Sequence, residues 1–308
     1  MQADESIELA DAPRRSGVRS HGPWRQAATR FRRRPLGVAA LLVVGAFVVV
    51  AVIAPRITPY AGHELFFQFL GHPQPPSLHH GHLLGTDVIG HDLLTQLLWA
   101  IRESVLGGIG CALGATVIGV AVGGVAGYLG GVVDSALSWM TSVIVAVPAI
   151  VVLLIVVAEK SPLPLWAFPT VLALYLWTYV ARAVRASFAT LRTREFVEAA
   201  HASGASPLRI VFRHLLPNAT GAVLVAATGI VGQSTAIIAT ADFFGYGNQQ
   251  SDRPTLGGLI SNAAVRSPIA PTPWWVWVVP IVTLGLLLVC VNFAADVLDD
   301  VLEPVRAG

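Results

Sequence analysis

Residues 198–217 read Glu198-Ala199-Ala200-His201-Ala202-Ser203-Gly204-Ala205-Ser206-Pro207 and then Leu208-Arg209-Ile210-Val211-Phe212-Arg213-His214-Leu215-Leu216-Pro217. Long apolar segments flank this stretch on both sides, so it forms a polar island in a chain otherwise suited to lipid. Of the 308 residues, 54% are hydrophobic and only 12% are charged, whereas soluble domains carry about 25% charged residues. The composition therefore places the chain among membrane proteins.

Six apolar stretches predict membrane-spanning helices. The first, residues 36–54, contains no charged residue, and its length of roughly 28 Å suits a hydrocarbon core of about 30 Å. We favour a retained helix over a cleaved signal peptide, whose apolar region spans about 7–15 residues. The other five stretches cover residues 104–127, 136–158, 164–182, 217–241 and 274–295. The predicted fold is an all-α integral membrane protein with six transmembrane helices and a cytoplasmic two-helix loop.

The distribution of basic residues predicts the orientation. With the N-terminus inside, 15 of the 20 Arg and Lys residues lie on the inner side, as the positive-inside rule requires. Both termini and the loop 183–216 are then cytoplasmic, in a multi-pass protein of the plasma (inner) membrane. The expected segments are a basic tail over 1–34, a first helix over 35–55, an external loop over 56–100, a five-helix core over 101–304 that includes the loop 183–216, and a C-terminal tail over 305–308.

Two helices can be drawn in the polar island. The first covers about 194–203 and places Phe196, Ala199, Ala200 and Ser203 on one narrow face. Gly204 is suited to end this helix in a left-handed cap. Ser206 and Pro207 then restart a helix as N-cap and first helical residue.

The second helix carries an apolar stripe and ends at Pro217, where we expect a bend into the fifth span. The stripe consists of Leu208, Val211, Phe212, Leu215 and Leu216. An alternative for the whole stretch is an ordinary amphipathic hairpin at the membrane surface, with Glu198 paired to Arg194.

Two further sets of residues have two interpretations each. Gly119, Gly123 and Gly127 follow one another at four-residue spacing, which allows close helix packing either within this subunit or against a partner subunit. Gln233, Ser234 and Thr235 form a polar cluster in the fifth span. These three side chains either line a pathway or form hydrogen bonds between helices.

Several function classes are disfavoured. Residues 36–54, 104–133, 135–158, 161–181 and 267–295 contain no Asp, Glu, Lys or Arg, whereas ion-coupled transporters place such groups inside the membrane. The only lysine follows a glutamate, so the chain has no phosphate-binding loop. We expect no cofactor, no catalytic residue and no nucleic-acid partner.

Histidines and cysteines give no clear metal site. Cys111 and Cys290 lie inside apolar runs and are interpreted as packing residues. Six of the nine histidines lie between residues 63 and 91. Imidazoles bind transition metals, but we favour a solvated loop and expect no metal.

The order Glu-Ala-Ala, three residues, Gly and a distant Leu-Pro resembles the EAA loop of permease subunits in binding-protein-dependent ABC importers. The ending Arg213-His214-Leu215-Leu216-Pro217-Asn218 is similar to the dipeptide/oligopeptide/nickel branch, specifically its C-type subunit with an extra first helix. Supporting segments are 84–92, 126–134 and 292–304, so that the resemblance covers nearly the whole chain.

The resemblance implies a type I ABC importer fold and a transmembrane permease that is not an enzyme. Its expected partners are a second homologous permease, one or two cytoplasmic ATPase subunits, an extracytoplasmic solute-binding protein and membrane lipid. The expected cargo is di- or oligopeptides; nickel or another non-peptide solute is the alternative, with an ion-coupled transporter less favoured. Six residues would couple to the ATPase: Arg194, Phe196, Glu198, Ala199, Ala200 and Gly204.

Overall fold

The computed structural model describes residues 35–58, 73–78, 82–160, 166–246, 253–266 and 272–307. The predicted basic tail lies outside these residues, and so do 59–72 and 79–81 of the predicted external loop. The helices are α1 Pro35–Ile57, α2 Leu93–Leu129, α3 Gly131–Ala146, α4 Ala149–Lys160, α5 Ala167–Leu191, α6 Glu195–Ala202, α7 Pro207–Ile210, a π-helical turn Val211–Leu215, α8 Leu216–Phe243, α9 Leu256–Arg266 and α10 Trp274–Ala307. Extended pairing in the described residues is confined to two isolated bridges, Ser77 with His82 and Thr86 with Asp92.

Five of these helical segments are long and apolar enough to cross a membrane, and a bent pair, α3 with α4, supplies a sixth crossing if it is counted as one span. The third predicted span is therefore not a straight helix, because the two halves meet at 70°. Val147 is extended at the break (φ −91°, ψ 128°), as expected for a residue that precedes proline. Pro148 lacks an N–H and cannot continue the helix.

The boundaries of the external segment differ from those predicted. α2 begins at Leu93, inside the stretch 56–100 that was expected to be a loop, because the carboxylate of Asp92 caps it by accepting a hydrogen bond from the Thr95 N–H at 2.8 Å. The short helix α9 between the last two spans was not predicted. Its amphipathic sequence is too short to stand out as a span.

The glycine face of α2 packs against α5 of the same chain. A Cβ built on Gly119 would lie 2.7 Å from the Trp177 carbonyl oxygen, and one on Gly127 would lie 2.7 Å from the Arg185 carbonyl oxygen. Such distances leave no room for a side chain, so the two backbones are in direct contact. Of the two interpretations of this face, the structure places these three glycines in packing within the subunit.

The ends of the bundle are closed by polar contacts. At one end, the guanidinium of Arg185 on α5 binds the carboxylate of Asp134 on α3 through both of its oxygens. At the other end, the indole N–H of Trp275 donates to the carbonyl of Thr86 at 3.2 Å. α8 lies at the centre of the bundle, in contact with α2, α5 and α10, while α1 packs on α2 and α10.

The segment before α2 is organised by histidine–carboxylate contacts. His82 Nδ1 lies 3.0 Å from Asp92 Oδ1, and His91 Nδ1 lies 3.0 Å from Asp87 Oδ2. Burial raises the pKa of Asp87, but the hydrogen bonds and charge of His91 outweigh it and hold this pKa below 3.8. Among the described residues no three His, Cys, Asp or Glu side chains converge as a metal site.

Candidate functional site

The polar island folds as a short helical hairpin, α6 and α7, with a well-defined turn. Gly204 has φ +76°, and the N–H groups of Gly204 and Ala205 donate to the carbonyls of His201 at 2.9 Å and Ala200 at 3.0 Å. This pair of bonds is a Schellman motif, in which a left-handed residue ends the helix. The turn therefore forms where the glycine was expected, and it reverses the chain within three residues.

The second helix of the hairpin starts at the expected residues. Ser206 is the N-cap and its Oγ accepts a hydrogen bond from the Arg209 N–H at 3.4 Å, while Pro207 occupies the first turn. The chain then runs without a break into α8, so that residues 207–243 form one helical segment of 37 residues. Pro217 therefore does not interrupt the helix, and the bend expected there stays a prediction.

A π-helical turn lies directly before Pro217. The N–H of Leu216 bonds to the carbonyl of Val211, five residues back. The wider turn makes room for the Pro217 ring, which in a regular α-helix would clash with the carbonyl four residues earlier.

The π turn also changes which side chains face the core. Ile210 and Leu215, five residues apart, are fully buried. Leu208 and Phe212, which the regular period placed in one stripe with Leu215, are 71% and 65% exposed. The predicted stripe is therefore split into an inward part and an outward part.

The hairpin is anchored to the bundle by a few buried side chains. Val197 of α6 is fully buried together with Ile210 and Leu215 in the main core cluster, and Ala200 packs on that cluster while half-buried. Val197 was missed in the sequence because it lies between Phe196 and Glu198, and no large apolar residue stands three or four positions before or after it. Its burial fixes α6 against the bundle.

The side of the hairpin away from this core exposes apolar side chains. Phe196 is 40% exposed and its ring centroid lies 6.4 Å from that of His214. Together with Leu208 and Phe212 it forms what we call the exposed apolar triad. A helical segment of 37 residues is roughly 55 Å long, longer than a whole bilayer of about 40–45 Å.

The remaining predicted coupling residues lie on or beside this side. Glu198 and Ala199 are exposed, and Arg194 is the N-cap residue of α6, where its carbonyl accepts from the Val197 N–H at 2.9 Å. Arg194 and Glu198, both described, do not form the ion pair of the alternative interpretation. The hairpin therefore presents a carboxylate and a small residue beside apolar side chains, a composition suited to protein contact.

Both ends of the hairpin are tied to long helices. Arg192, directly after α5, reaches the carbonyl of Gly127 at 3.4 Å, and Phe188 in the last turn of α5 is buried. On the other side α7 continues into α8. The hairpin is thus connected to α5 through residues 192–194 and continues directly into α8.

The three candidate pathway residues are not equivalent. Ser234 and Thr235 are buried where α8 meets α2, and their hydroxyls donate to the carbonyls of Ile230 and Val231, each at 2.7 Å. Ser234 also lies 3.4 Å from the Gly108 carbonyl of α2. These contacts favour a packing role for the two hydroxyls, while Gln233 is half-buried.

The break between α3 and α4 is a structural feature that the sequence interpretation missed. Tyr175 of α5 donates its hydroxyl to the Val147 carbonyl at 2.6 Å, and Val147 remains 44% exposed. Irregular backbone at membrane depth is tolerated only where protein covers it or where it lines an aqueous cavity. The signal available was Pro148 in the middle of an apolar run.

Comparisons with known proteins agree with this architecture. Residues 119–306 match the family model described as binding-protein-dependent transport system inner membrane component, and residues 22–76 match the N-terminal transmembrane domain of oligopeptide transport permease C. The chain is 34% identical to the oligopeptide transport system permease protein OppC of Mycobacterium bovis, over 89% of this chain and 92% of that protein. It is 31% identical to the dipeptide transport system permease protein DppC of Alkalihalophilus pseudofirmus, over 92% and 90% respectively.

A solved structure shares the fold. A chain of the MetNI methionine ABC transporter in an inward-facing conformation superposes with a TM-score of 0.52 at 23% identity, covering 70% of this chain and 95% of that chain. The expected type I importer architecture is thus confirmed for the core, with the family match beginning in α2.

Proposed function

Since this chain belongs to the family of binding-protein-dependent transport system inner membrane components, we propose how it works: it pairs with a second permease to form the pathway for di- or oligopeptides delivered by a solute-binding protein. The chain is the permease subunit of an ABC importer, and ATP is hydrolysed by separate subunits. The peptide cargo is supported by the relatives named above as oligopeptide and dipeptide permeases.

The observation that carries the proposal is the exposed apolar triad on a hairpin connected rigidly to two spans. The triad consists of large exposed apolar side chains: Phe196, Leu208 and Phe212. In the proposed orientation they lie beyond the bilayer, where an exposed apolar surface marks a contact with another protein. We assign this surface to the ATPase subunit. Closure of the ATPase pair would push the hairpin, and α5 and α8 would follow.

The same proposal gives the break at Val147 a role. α3 has a single buried residue, Thr141, in its 16 positions, so that most of its surface is free to contact another subunit or solvent. We place the second permease and the pathway on this side of the bundle. The extended residue Val147 at the bend then lies where irregular backbone is tolerated.

The proposed orientation places the hairpin and both termini in the cytoplasm. The basic residues of the tail and of the hairpin support this assignment. Single-cysteine labelling with an impermeant maleimide tests it in intact cells. Phe244→Cys, at the opposite end of α8, should react from outside, and Leu208→Cys should react only after the membrane is opened.

Docking is tested by a charge placed in the triad. Phe212→Glu should abolish co-purification of the ATPase subunits and peptide-stimulated ATP hydrolysis in vesicles, while the protein still inserts and remains folded. Phe244→Glu is the matched control, because Phe244 is 63% exposed at the other end of the bundle. Normal ATPase capture and peptide uptake by the Phe212→Glu protein would remove the docking assignment.

A second substitution separates docking from packing. Ala199 is exposed whereas Ala200 packs on the core of its own chain, so Ala199→Trp tests the partner surface and Ala200→Trp also disturbs the hairpin itself. We expect Ala199→Trp to block ATPase capture without lowering the unfolding temperature. A lower unfolding temperature with intact capture would contradict the assignment of Ala199.

A further inference from the structure

Three arginines lie on one face of α5, next to α3 and to the turn that precedes α3. Arg182, Arg185 and Arg192 are separated by three and seven positions, so they recur at nearly whole turns of a helix. Arg192 is the C-cap residue of α5 and lies two residues before Arg194, the N-cap residue of the hairpin helix α6. The face that carries the arginines therefore ends where the hairpin begins.

The central contact of this face joins Arg185 to Asp134 in the first turn of α3. The guanidinium donates from Nε to Oδ1 and from Nη2 to Oδ2, the second bond at 2.8 Å. Two parallel bonds between planar groups fix their orientation as well as their separation. The two side chains are 41% and 24% exposed, and exposed ion pairs contribute little to stability. The main consequence of this pair is thus that α3 is held at a fixed position relative to α5.

The other two arginines hold the same elements on either side of that ion pair. Arg192 donates from Nη1 to the carbonyls of Gly127 at 3.4 Å and Tyr128 at 3.5 Å, in the last turn of α2. Further along α3, Arg182 donates from Nη2 to the Thr141 carbonyl at 3.5 Å. Both distances are long for hydrogen bonds, so the carboxylate of Asp134 provides the firmest of the contacts.

The turn before α3 would otherwise leave that helix free to pivot. Gly130 and Gly131 join α2 to α3 with φ of +67° and +57°, and glycines change such angles at little cost, as hinge residues do. A Cβ on Gly130 would also overlap the guanidinium of Arg192. Because Thr141 is the one buried residue of α3, side-chain packing holds this helix only weakly. Its position therefore depends on the polar contacts with α5.

We propose that Asp134 is a positioning residue for transport: through Arg185 it makes α3, and the bent span that begins with α3, follow α5 when the hairpin is displaced. This inference rests on the proposed function, since it requires the ATPase to push the hairpin. It adds a route to the pathway side of the bundle that does not pass through α8. Without the carboxylate, α5 still moves with the hairpin, while α3 pivots on the two glycines and stays behind.

Distances between spin labels test this route in the assembled importer, reconstituted in vesicles with its second permease and ATPase subunits. The labels are attached to cysteines that replace exposed residues on three helices: Leu42 of α1, Val143 of α3 and Leu174 of α5. The ATPase pair is then trapped closed with ATP and vanadate. With Asp134 present, we expect trapping to change the distance between 42 and 174 and to leave the distance between 143 and 174 constant.

Asp134→Ala should separate the two movements. In this variant the distance between 143 and 174 should change on trapping, while the distance between 42 and 174 still changes as before. Peptide uptake should be lost while the ATPase subunits still co-purify. A constant distance between 143 and 174 in Asp134→Ala, or a change in it with Asp134 present, would overturn the proposal. Should Asp134→Ala fail to fold, Arg185→Gln removes the same pair from the side of α5 and decides the same question.

A control and a reference distance make the result specific. Thr190→Ala, in the last turn of α5, removes a hydroxyl that donates to the Ala186 carbonyl of its own helix at 3.1 Å. Its distances and peptide uptake should match those of the unsubstituted chain; a change between 143 and 174 in this control would count against the ion pair as the specific link. If trapping leaves the distance between 42 and 174 constant even with Asp134 present, the proposed push on the hairpin fails, and this inference fails with it.

Discussion

Alanine in place of Gly123 is the sharpest test of how α2 and α5 pack. A Cβ built on this residue would lie 2.7 Å from the Cα of Ala181 and closer still to the Ala181 carbonyl oxygen. These atoms belong to the backbone of a helix, so they cannot rotate away as a side chain would. The substitution must push the two helices apart.

The expected cost follows from two opposing effects. Inserting a carbon into a packed interface costs about 1–3 kcal/mol, and contact with backbone places Gly123 at the upper end. Alanine favours the helix over glycine by about 1 kcal/mol, which offsets part of this cost. The net loss is about 2 kcal/mol, which corresponds to an unfolding temperature lower by about 4 °C.

The assay is thermal unfolding of the purified chain in detergent, compared with Gly110→Ala. Gly110 lies on the same helix, and a Cβ added there would meet no atom within 4 Å. This control should melt at the wild-type temperature or slightly above it, because only the helix preference changes. Equal unfolding temperatures for the two variants would refute the argument that contact with the α5 backbone makes a side chain at residue 123 destabilising.

Three further substitutions have expected outcomes. Tyr175→Phe removes the donor to the Val147 carbonyl and should cost about 1 kcal/mol; unchanged thermal unfolding would contradict this. Gly204→Ala leaves free space around the new Cβ, but the alanine must adopt φ +76°. We therefore expect a loss of stability of about 1 kcal/mol, measured as faster hydrogen exchange confined to the hairpin. Unchanged exchange would show that the cap is not strained. The pKa of Asp87 lies below 3.8 because His91 outweighs the effect of burial, so its carboxylate stabilises the fold above about pH 4 and loses this effect as pH falls through the lowered pKa. Asp87→Asn should lower the unfolding temperature near neutral pH and flatten its decline in acid; a parallel decline would contradict the prediction.

The hairpin shows which structure could be predicted from sequence. Its turn and caps depend on local chemistry: Gly204 supplies a left-handed residue, and Ser206 with Pro207 starts a helix. These features are set within three or four residues and need no knowledge of the rest of the chain. The family resemblance also identified the hairpin before the bundle was known.

Which side chains of the second hairpin helix face the core could not be predicted, because this depends on one extra residue in a helical turn. A regular 3.6-residue period places Leu208, Phe212 and Leu215 together. The π turn shifts this register, so that Ile210 joins Leu215 in the core and the other two become exposed. Nothing in the local residue preferences distinguishes the two registers; the choice is made by how Pro217 is accommodated.

The break in the third span was missed for a different reason. The mean hydropathy of residues 136–158 indicates one apolar stretch, because the value is averaged over Pro148 and its neighbours. The break at that proline leaves the Val147 carbonyl outside the helical hydrogen-bond pattern, and the Tyr175 hydroxyl, 28 positions further along the chain, donates to it. Long-range partners of this kind are not visible in a window of sequence.

The continuity of residues 207–243 constrains how the proposed coupling can work. Because the helix is continuous from 207 to 243, we expect a push on the hairpin to be transmitted along α8 towards Phe243. The π turn is the irregular part of this helix, where its backbone can bend. Deleting one residue from the turn, for example Arg213, would restore a regular hydrogen-bond register, turn the triad relative to the core and clash at Pro217. We expect the protein with that deletion to insert into the membrane and to lose coupled ATP hydrolysis. Deleting a residue from the described loop after Ala202 should leave the register of α8 unchanged.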